Sequence, residues 1–310
     1  MLIHRITTLL LVTLLATSWA CTTSTPQENG ESSAPTTEPT EASADDEFQE
    51  LLAAADEAFA ERHDEARLRE ALDLWATATD HPALADDPGR RAELHATLAR
   101  GHYFWGRYHH SIQPDADPAV ISEIAEAGVH HARTALRHWS PQVVSRLAHE
   151  DPWDVDYSVV PPEGIDALLG YARTTTLWSQ VQEPTEQLAS EPLIDAIMAH
   201  VIEVQPDAHG GAALRYYGTR HLTRHFNRDH DASEEAFQRA IDAAPDFAIN
   251  RLLRARDLAT HRGDRDLFEA DLRAVIDADP EHPDYGPENA FAAELAQRIL
   301  DRADELFAEP

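Results

Sequence analysis

The spacing of apolar residues from residue 45 onward restricts the possible folds more than any other feature of this chain. Apolar side chains recur every three or four positions, which is the period of an α-helix with one buried face. The first such segment contains Phe48, Leu51, Leu52, Ala55 and Phe59. Similar segments continue to residue 307, and none shows the alternation typical of a half-buried strand. We therefore predict an all-α fold for residues 45–310.

The predicted helices carry small and aromatic residues at repeating positions. One unit has Ser233, Phe237 and Ala240, followed by Pro245. Two earlier units repeat the spacing, with Ala71, Trp75, Ala78 and Pro82, and with Gly128, Ala132, Ala135 and Pro141. Small residues allow helix backbones to approach closely, and an aromatic ring can fill the groove between neighbouring hairpins. The pattern is typical of stacked helical hairpins, as in degenerate tetratricopeptide-like repeats. The alternative is an irregular helical bundle.

The N-terminal segment has the composition of an export and anchoring signal. Residues 1–20 combine a positive start with an apolar run, which predicts a lipoprotein signal peptide. The only cysteine, Cys21, follows the small residue Ala20, where a lipoprotein carries its acylated cysteine. Residues 21–44 are rich in Thr, Ser, Pro and Glu, and predict a disordered tether. We expect a periplasmic protein held by a lipid anchor, in the outer membrane because Thr22 follows the cysteine. The alternative is a secreted protein cleaved near Ala20.

The charge balance excludes two classes of partner. The 310 residues carry 25 basic and 56 acidic side chains, a net charge of −31, and every basic residue is an arginine. A surface this negative repels the phosphate backbone of nucleic acids and the headgroups of anionic membranes. We therefore expect no nucleic-acid partner, and membrane attachment only through the N-terminal anchor.

No pattern in the sequence indicates an enzyme or a cofactor. The chain has no Gly-x-Ser-x-Gly nucleophile motif and no phosphate-binding glycine-rich loop. The 18 histidines raise the question of metal binding, and His221 and His225 lie one helical turn apart. Because no third ligand accompanies this pair, we expect no metal site. Because the motifs named above are missing, we also expect no cofactor and no catalytic residue.

Aromatic residues and one arginine are the candidates for ligand or partner contact. Consecutive aromatic residues point to different faces of a helix, so at least one is expected to reach a cleft or an interface. The candidates are Tyr103, Trp105, Tyr171, Trp178, Arg215, Tyr216 and Tyr217. One interpretation is packing between hairpins. The other is an aromatic-lined channel in which Arg215 attracts an anionic ligand.

Several segments occur in an order that is found in a known family. They are Tyr103-Phe104, the helix at 164–172, the run 192–206, the segment 210–218, the run 233–240 and the Gly263-Asp264 turn with the helix after it. Together they resemble the TatT family, the T components of tetratricopeptide-associated TRAP transporters. The resemblance extends from about Phe48 to Phe307. Gly170 departs from it, because the family usually has an aromatic residue there.

The resemblance implies a lipid-anchored periplasmic accessory subunit of a TRAP-type solute transporter. Members of that family associate with the transporter's substrate-binding protein, form homotrimers and are linked to small organic or apolar solutes. On this basis we expect a transport subunit and not an enzyme. The alternative is a tetratricopeptide scaffold lipoprotein that serves envelope protein assembly or protein–protein interaction.

Overall fold

The computed structural model describes residues 43–223 and 228–308. Within these ranges helices pack on helices and no strand occurs, so the all-α prediction is confirmed. The predicted signal peptide, Cys21 and His225 lie outside the described residues. None of the described helices is both long and apolar enough to cross a bilayer.

The helices, in chain order, are α1 (Ala44–Ala60), α2 (Glu65–Thr79), α3 (Pro88–Phe104), α4 (Pro118–Trp139), α5 (Pro141–Leu147), α6 (Ile165–Ser179), α7 (Pro184–Val204), α8 (Ala208–Thr223), α9 (His230–Ala243), α10 (Ile249–Leu253), α11 (Thr260–Arg262), α12 (Arg265–Ile276), α13 (Gly286–Leu300) and α14 (Ala303–Leu306). Two π-helical segments extend α3 and α10: Trp105–Ser111 and Arg254–Ala259. Short 3₁₀ turns lie at Pro82–Leu84, Pro152–Asp154, Tyr157–Val159 and Pro162–Gly164.

The acidic composition contributes directly to where the helices start. Aspartate is a favoured N-cap residue because its carboxylate accepts hydrogen bonds from backbone N–H groups that the first turn leaves unpaired. Helices α2, α3, α4, α9 and α12 begin in this way, at Asp64, Asp87, Asp117, Asp229 and Asp264. Helix α1 begins with a capping box between Ser43 and Asp46. Part of the negative charge is therefore used in helix capping.

Helices α8 and α9 form a hairpin around the small and aromatic positions noted in the sequence. A Cβ atom on Gly218 would lie 2.7 Å from the ring of Phe237, which is completely buried. Ser233 is also buried, and its Oγ donates to the carbonyl oxygen of Gly218 at 2.7 Å. The glycine therefore lets the two helices approach closely enough for the aromatic ring to fill the space between them.

Helices α3, α4 and α6 meet in a second close contact, at Gly170. A Cβ atom on Gly170 would lie 3.4 Å from the Cβ of Ala99 and 3.8 Å from that of Ala132. The close packing of three helices leaves no space for an aromatic side chain at this position.

The turn between α1 and α2 contacts α13 near the other end of the described domain. One core cluster contains Phe59 from α1 and Phe291 from α13. Nη2 of Arg62 lies 2.6 Å from Oε2 of Glu288, and the two side chains are only 8% and 17% exposed. The same guanidinium donates to the carbonyl oxygens of Phe59 and Asp284, at 3.1 and 3.2 Å. A largely buried ion pair therefore joins the two ends of this domain.

Candidate functional site

A cavity of about 350 Å³ lies among α3, α6, α7, α8, α10 and α13. Apolar side chains form much of its wall: Ile112, Leu177, Ile194, Met198, Leu252 and Leu295. Tyr103, Tyr108 and Tyr216 also line it. A second cleft of about 720 Å³ adjoins the cavity, since Arg107, Ile112, Arg256 and Leu295 line both. A concave, mainly apolar space with a few polar groups is typical of a small-molecule site.

The charged groups of the cavity are predominantly positive, although the chain as a whole is strongly acidic. Five arginines line the cavity, and two of them are paired with aspartates. The other three are Arg107, Arg173 and Arg215, and no carboxylate in the described ranges forms an ion pair with them. Three positive charges without a negative partner give the cavity a positive potential, which favours an anionic ligand.

Arg215 is fixed in place by neutral groups. Its side chain is 6% exposed, and its Nη1 donates to the carbonyl oxygen of Gly210 at 2.8 Å and to Oδ1 of Asn250 at 2.7 Å. The guanidinium also lies 5.0 Å from the ring centroid of Phe247. Burial lowers the pKa of Arg215 to about 10, so that the side chain still carries its charge at neutral pH. The neutral contacts orient this guanidinium but leave its charge without a negative partner.

Arg173 and Tyr103 form the second part of the cationic wall. The guanidinium of Arg173 lies 3.8 Å from the ring centroid of Tyr103. Burial acts to raise the pKa of the Tyr103 hydroxyl, but the charges of Arg173, Arg107 and Arg215 outweigh that effect, and the pKa is lowered. The three arginines therefore act on one hydroxyl group inside the cavity.

The third arginine is carried by the π-helical segment after α3. Arg107 lies in Trp105–Ser111, and its Nη1 donates to Oγ of Ser111 at 3.2 Å. Tyr108, in the same segment, is buried against the core. A π-helical turn shifts the faces of a helix relative to the α-helix before it, and such turns are frequent at functional sites.

A polar network around Asp195 joins α7 to α8 beside the cavity. Oδ1 of Asp195 accepts from Oη of Tyr216 at 2.6 Å and from Nε of Arg220 at 3.0 Å. Nη2 of Arg220 also donates to Oε2 of Glu191 at 2.8 Å. The charge of Arg220 is therefore satisfied within the protein, in contrast to the three unpaired arginines.

The candidates named from the sequence occupy different places in the structure. Those that line the cavity are Tyr103, Arg215 and Tyr216. Indole nitrogens of the two tryptophans donate to carboxylates, Trp105 to Glu65 at 2.8 Å and Trp178 to Glu126 at 3.2 Å. Tyr217 donates to the carbonyl oxygen of Asp195, and Tyr171 packs against a core cluster of α6 and α7. A ligand or partner role for these seven residues stays a prediction.

Sequence reasoning missed two of the three unpaired arginines. Neither Arg107 nor Arg173 has an Asp or Glu within four positions on either side, and the same is true of Arg215. In a chain with 56 acidic residues, this local lack of acids is a usable signal. This signal narrows the candidates for unpaired arginines but does not identify them. Arg220 also lacks an acidic neighbour in sequence and yet forms ion pairs in the fold.

The structure describes only half of the histidine pair that was considered for metal binding, because His225 lies outside the described ranges. The ring of His221 lies 5.8 Å from that of Tyr217. Across residues 43–223 and 228–308, no group of three or more His, Cys, Asp or Glu side chains is arranged to hold a metal ion.

A separate histidine stack lies between α3 and α4. The ring of His131 stacks on those of His95 and His102, with centroids 5.2 and 5.4 Å apart. The Nδ1 atoms of His95 and His131 are 2.9 Å apart, which requires one to donate and the other to accept. Burial lowers the pKa of His102 to about 4 and, together with the neighbouring histidines, that of His131 to about 3.

We expect this stack to make the protein lose stability in mild acid. The unfolded chain binds protons on these rings below about pH 6.5. The folded chain binds them only near the lowered pKa values of about 4 and about 3. The stabilisation is therefore complete well above pH 6.5 and decreases as the pH falls, with a loss by pH 5 of about 2 kcal/mol for each of the two rings. Urea unfolding at pH 7 and pH 5 measures the difference.

The matched variants for this prediction are His131→Gln and His149→Gln, since His149 is exposed and lies outside the stack. The change at His131 should reduce the loss of stability between pH 7 and pH 5, and the change at His149 should not. The same pH dependence in both variants would show that the stack is not its source.

A comparison with protein families matches residues 119–307 to the TAtT family, described as TRAP transporter T-component. The matched range covers more than half of the 310-residue chain and includes α6, α7, α8, α10 and α13, which form much of the cavity wall. No match is found among curated proteins. The resemblance noted in the sequence is confirmed, and the chain belongs to the TAtT family of TRAP transporter T-components.

Proposed function

We propose that this protein is a lipid-anchored periplasmic accessory subunit of a TRAP-type solute transporter. In this proposal it binds the substrate-binding protein of the transporter and holds a small organic anion in the cavity. Family membership makes the chain a component of a TRAP transporter system, in the cell envelope, and the family is one of transport accessory proteins and not of enzymes.

The observation that carries the solute proposal is the set of three unpaired arginines in the cavity wall. A cation removed from water is costly unless a negative group or several hydrogen bonds stabilise it. A carboxylate or sulfonate can accept two parallel N–H bonds from one guanidinium, and Arg107, Arg173 and Arg215 offer such donors. An anionic ligand would therefore supply the charge that the protein itself does not.

The rest of the cavity wall indicates that the anion also has an apolar part. Side chains such as Leu177, Ile194 and Met198 can contact only hydrocarbon or aromatic surface favourably. The volume of about 350 Å³ lies at the lower end of the range for small-molecule pockets. We propose a small organic acid, with its acidic group at the arginines and its body against the apolar wall.

The partner proposal is tested by crosslinking the protein to the substrate-binding protein of a TRAP transporter from the same organism. Because the chain contains no lysine, amine-reactive reagents are unsuitable, and a dihydrazide that joins carboxylates is the appropriate reagent. We expect specific crosslinks that an unrelated acidic periplasmic protein does not form. Recovery of envelope assembly factors alone would favour the scaffold alternative.

We also propose a homotrimer, so light scattering should give three times the mass of one chain.

We expect Cys21→Ser to release the protein from the membrane. Cys21 is the only cysteine of the chain, so the substitution removes the proposed acylation site without affecting any other thiol. Fractionation of cells should move the variant from the membrane to the soluble periplasmic fraction, and labelling with an alkyne fatty acid should be lost. The matched control is Ser24→Ala in the same segment. Membrane attachment that persists in Cys21→Ser would overturn the proposed anchor.

A further inference from the structure

Helix α8 begins with three consecutive residues in the left-handed region of backbone conformation. The φ values are 49° for His209, 67° for Gly210 and 75° for Gly211. A Cβ atom on Gly210 would lie 2.8 Å from the ring of Phe247, so only glycine fits there without a shift of the ring. His209 is different, because a side chain in this conformation is strained, and within the described ranges no other non-glycine residue adopts a positive φ. The chain therefore carries an imidazole at a position where the backbone conformation is strained.

The imidazole of His209 connects two charged side chains of α6. Its Nδ1 lies 2.7 Å from Nη1 of Arg173, and its Nε2 lies 3.1 Å from Oδ1 of Asp166. A guanidinium can only donate, so Nδ1 is the acceptor, and Nε2 carries the proton that is donated to Asp166. The ring is therefore neutral and binds Arg173 without neutralising its charge. A carboxylate in the same place would orient Arg173 and also cancel the charge.

The same turn orients a second arginine of the cavity. The carbonyl oxygen of Gly210 accepts from Nη1 of Arg215 at 2.8 Å and from Nδ2 of Asn250 at 3.1 Å. Arg173 and Arg215 are thus bound by neutral acceptors of two adjacent residues, His209 and Gly210. Both arginines line the cavity.

We propose that the left-handed turn at residues 209–211 positions the anion-binding arginines, and that His209 is the positioning residue that directs Arg173 into the cavity with its charge intact. This inference rests on the proposed function, because it assumes that the cavity binds an anion. His209 acts through Arg173 and is not itself assigned a contact with the ligand.

The test uses two fluorescent probes that differ mainly in charge. The first is 8-anilinonaphthalene-1-sulfonate, and the second is N-phenyl-1-naphthylamine, which has the same ring system without the sulfonate. The variants are His209→Gly, His209→Asn and Arg173→Gln. Glycine adopts the left-handed conformation without strain but removes the imidazole. Asparagine tolerates this conformation, and its amide oxygen can take the place of Nδ1 as the acceptor for Arg173.

We expect His209→Gly to weaken binding of the sulfonate about tenfold, as does the loss of one hydrogen bond to a charged group. His209→Asn should recover most of this loss. The double variant His209→Gly/Arg173→Gln should bind no more weakly than Arg173→Gln alone, because both changes act on the same guanidinium. The neutral amine should bind all the variants with an affinity close to that of the unsubstituted protein.

Two results would overturn the inference. In the first, His209→Gly binds the sulfonate as tightly as the unsubstituted protein while Arg173→Gln does not, so that Arg173 needs no positioning. In the second, His209→Gly loses affinity for both probes equally, which would mean that the turn only maintains the shape of the cavity. If Arg173→Gln leaves sulfonate binding unchanged, the proposed anion site itself fails, and this outcome is distinct from the other two.

Discussion

Replacing Arg62 by methionine should destabilise the protein by about 3 kcal/mol, because it leaves the carboxylate of Glu288 largely buried without its partner. Methionine keeps much of the apolar stem that packs near Phe59, so the loss of the charge dominates. Arg62 joins the N-terminal hairpin to α13, and the effect should therefore appear as a lower urea midpoint of the whole domain. The measurement is equilibrium urea unfolding followed by circular dichroism.

The matched control is Arg67→Met, five residues further along the chain. Arg67 pairs with Glu61 and Glu70, and both of these carboxylates are more than half exposed. Water solvates both carboxylates once Arg67 is removed, so this substitution should leave the urea midpoint close to that of the unsubstituted protein. Equal midpoints for Arg62→Met and Arg67→Met would contradict the structural role given to the buried pair.

Replacing Phe237 by alanine should cost about 3 to 5 kcal/mol, because the ring is completely buried between α8 and α9. Gly218→Ala should cost about 1 to 3 kcal/mol for the opposite reason, since the new Cβ atom would meet three ring atoms of Phe237 at 2.7 to 2.8 Å. The two effects are coupled through one contact. In the Phe237→Ala background, Gly218→Ala should therefore cost nothing or should be stabilising. Thermal and urea unfolding of the four proteins measure this coupling.

The control for this cycle is Gly170→Ala. A Cβ atom at Gly170 meets its nearest neighbour, the Cβ of Ala99, only at 3.4 Å. Because alanine has the higher helix propensity, we expect this variant to be as stable as the unsubstituted protein or more stable by about 0.5 to 1 kcal/mol. Additive effects of the Gly218 and Phe237 substitutions would mean that the small and aromatic positions do not act as a packed pair.

The hairpin architecture could be predicted because its signals are local. Each of these signals depends on contacts within one or two helices. They are the period of the apolar residues, the aspartate caps and the spacing of Ser233, Phe237 and Ala240. The helix boundaries that were harder to predict have non-local causes. Pro192, for example, resembles a helix start, but α7 begins at Pro184 and includes Pro192 in its interior.

The candidate site could be predicted only in part, because it is assembled from distant segments. Tyr103 and Arg215 stand out as an aromatic run and a flanking charge, but their convergence with Arg173 depends on how α3, α6 and α8 pack. Two backbone irregularities also have no simple sequence signature. The sequence around Arg107 is typical of an ordinary α-helix and does not predict the π-helical turn. The pair Gly210-Gly211 does not predict that His209 shares their left-handed conformation.

The contrast between surface and cavity is compatible with the proposed binding of an anion by an acidic protein. The aspartates and glutamates cap helices and pair with arginines, as Asp195 and Glu191 do with Arg220. Among the described residues only some arginines lack such partners, and three of these line one cavity. If the cavity binds an anion as proposed, we expect it to select small anions, since the acidic surface repels large polyanions.

The most direct test of this account is the dissociation constant of 8-anilinonaphthalene-1-sulfonate for the unsubstituted protein and for Arg107→Gln/Arg173→Gln. The double substitution removes two unpaired cations from the cavity wall, and Arg265→Gln/Arg273→Gln removes two exposed arginines as a control. We predict that affinity for the sulfonate falls about a hundredfold in the cavity variant only. Affinity for N-phenyl-1-naphthylamine should be unchanged in both variants. Equal sulfonate affinity in the cavity and control variants would contradict the anion site.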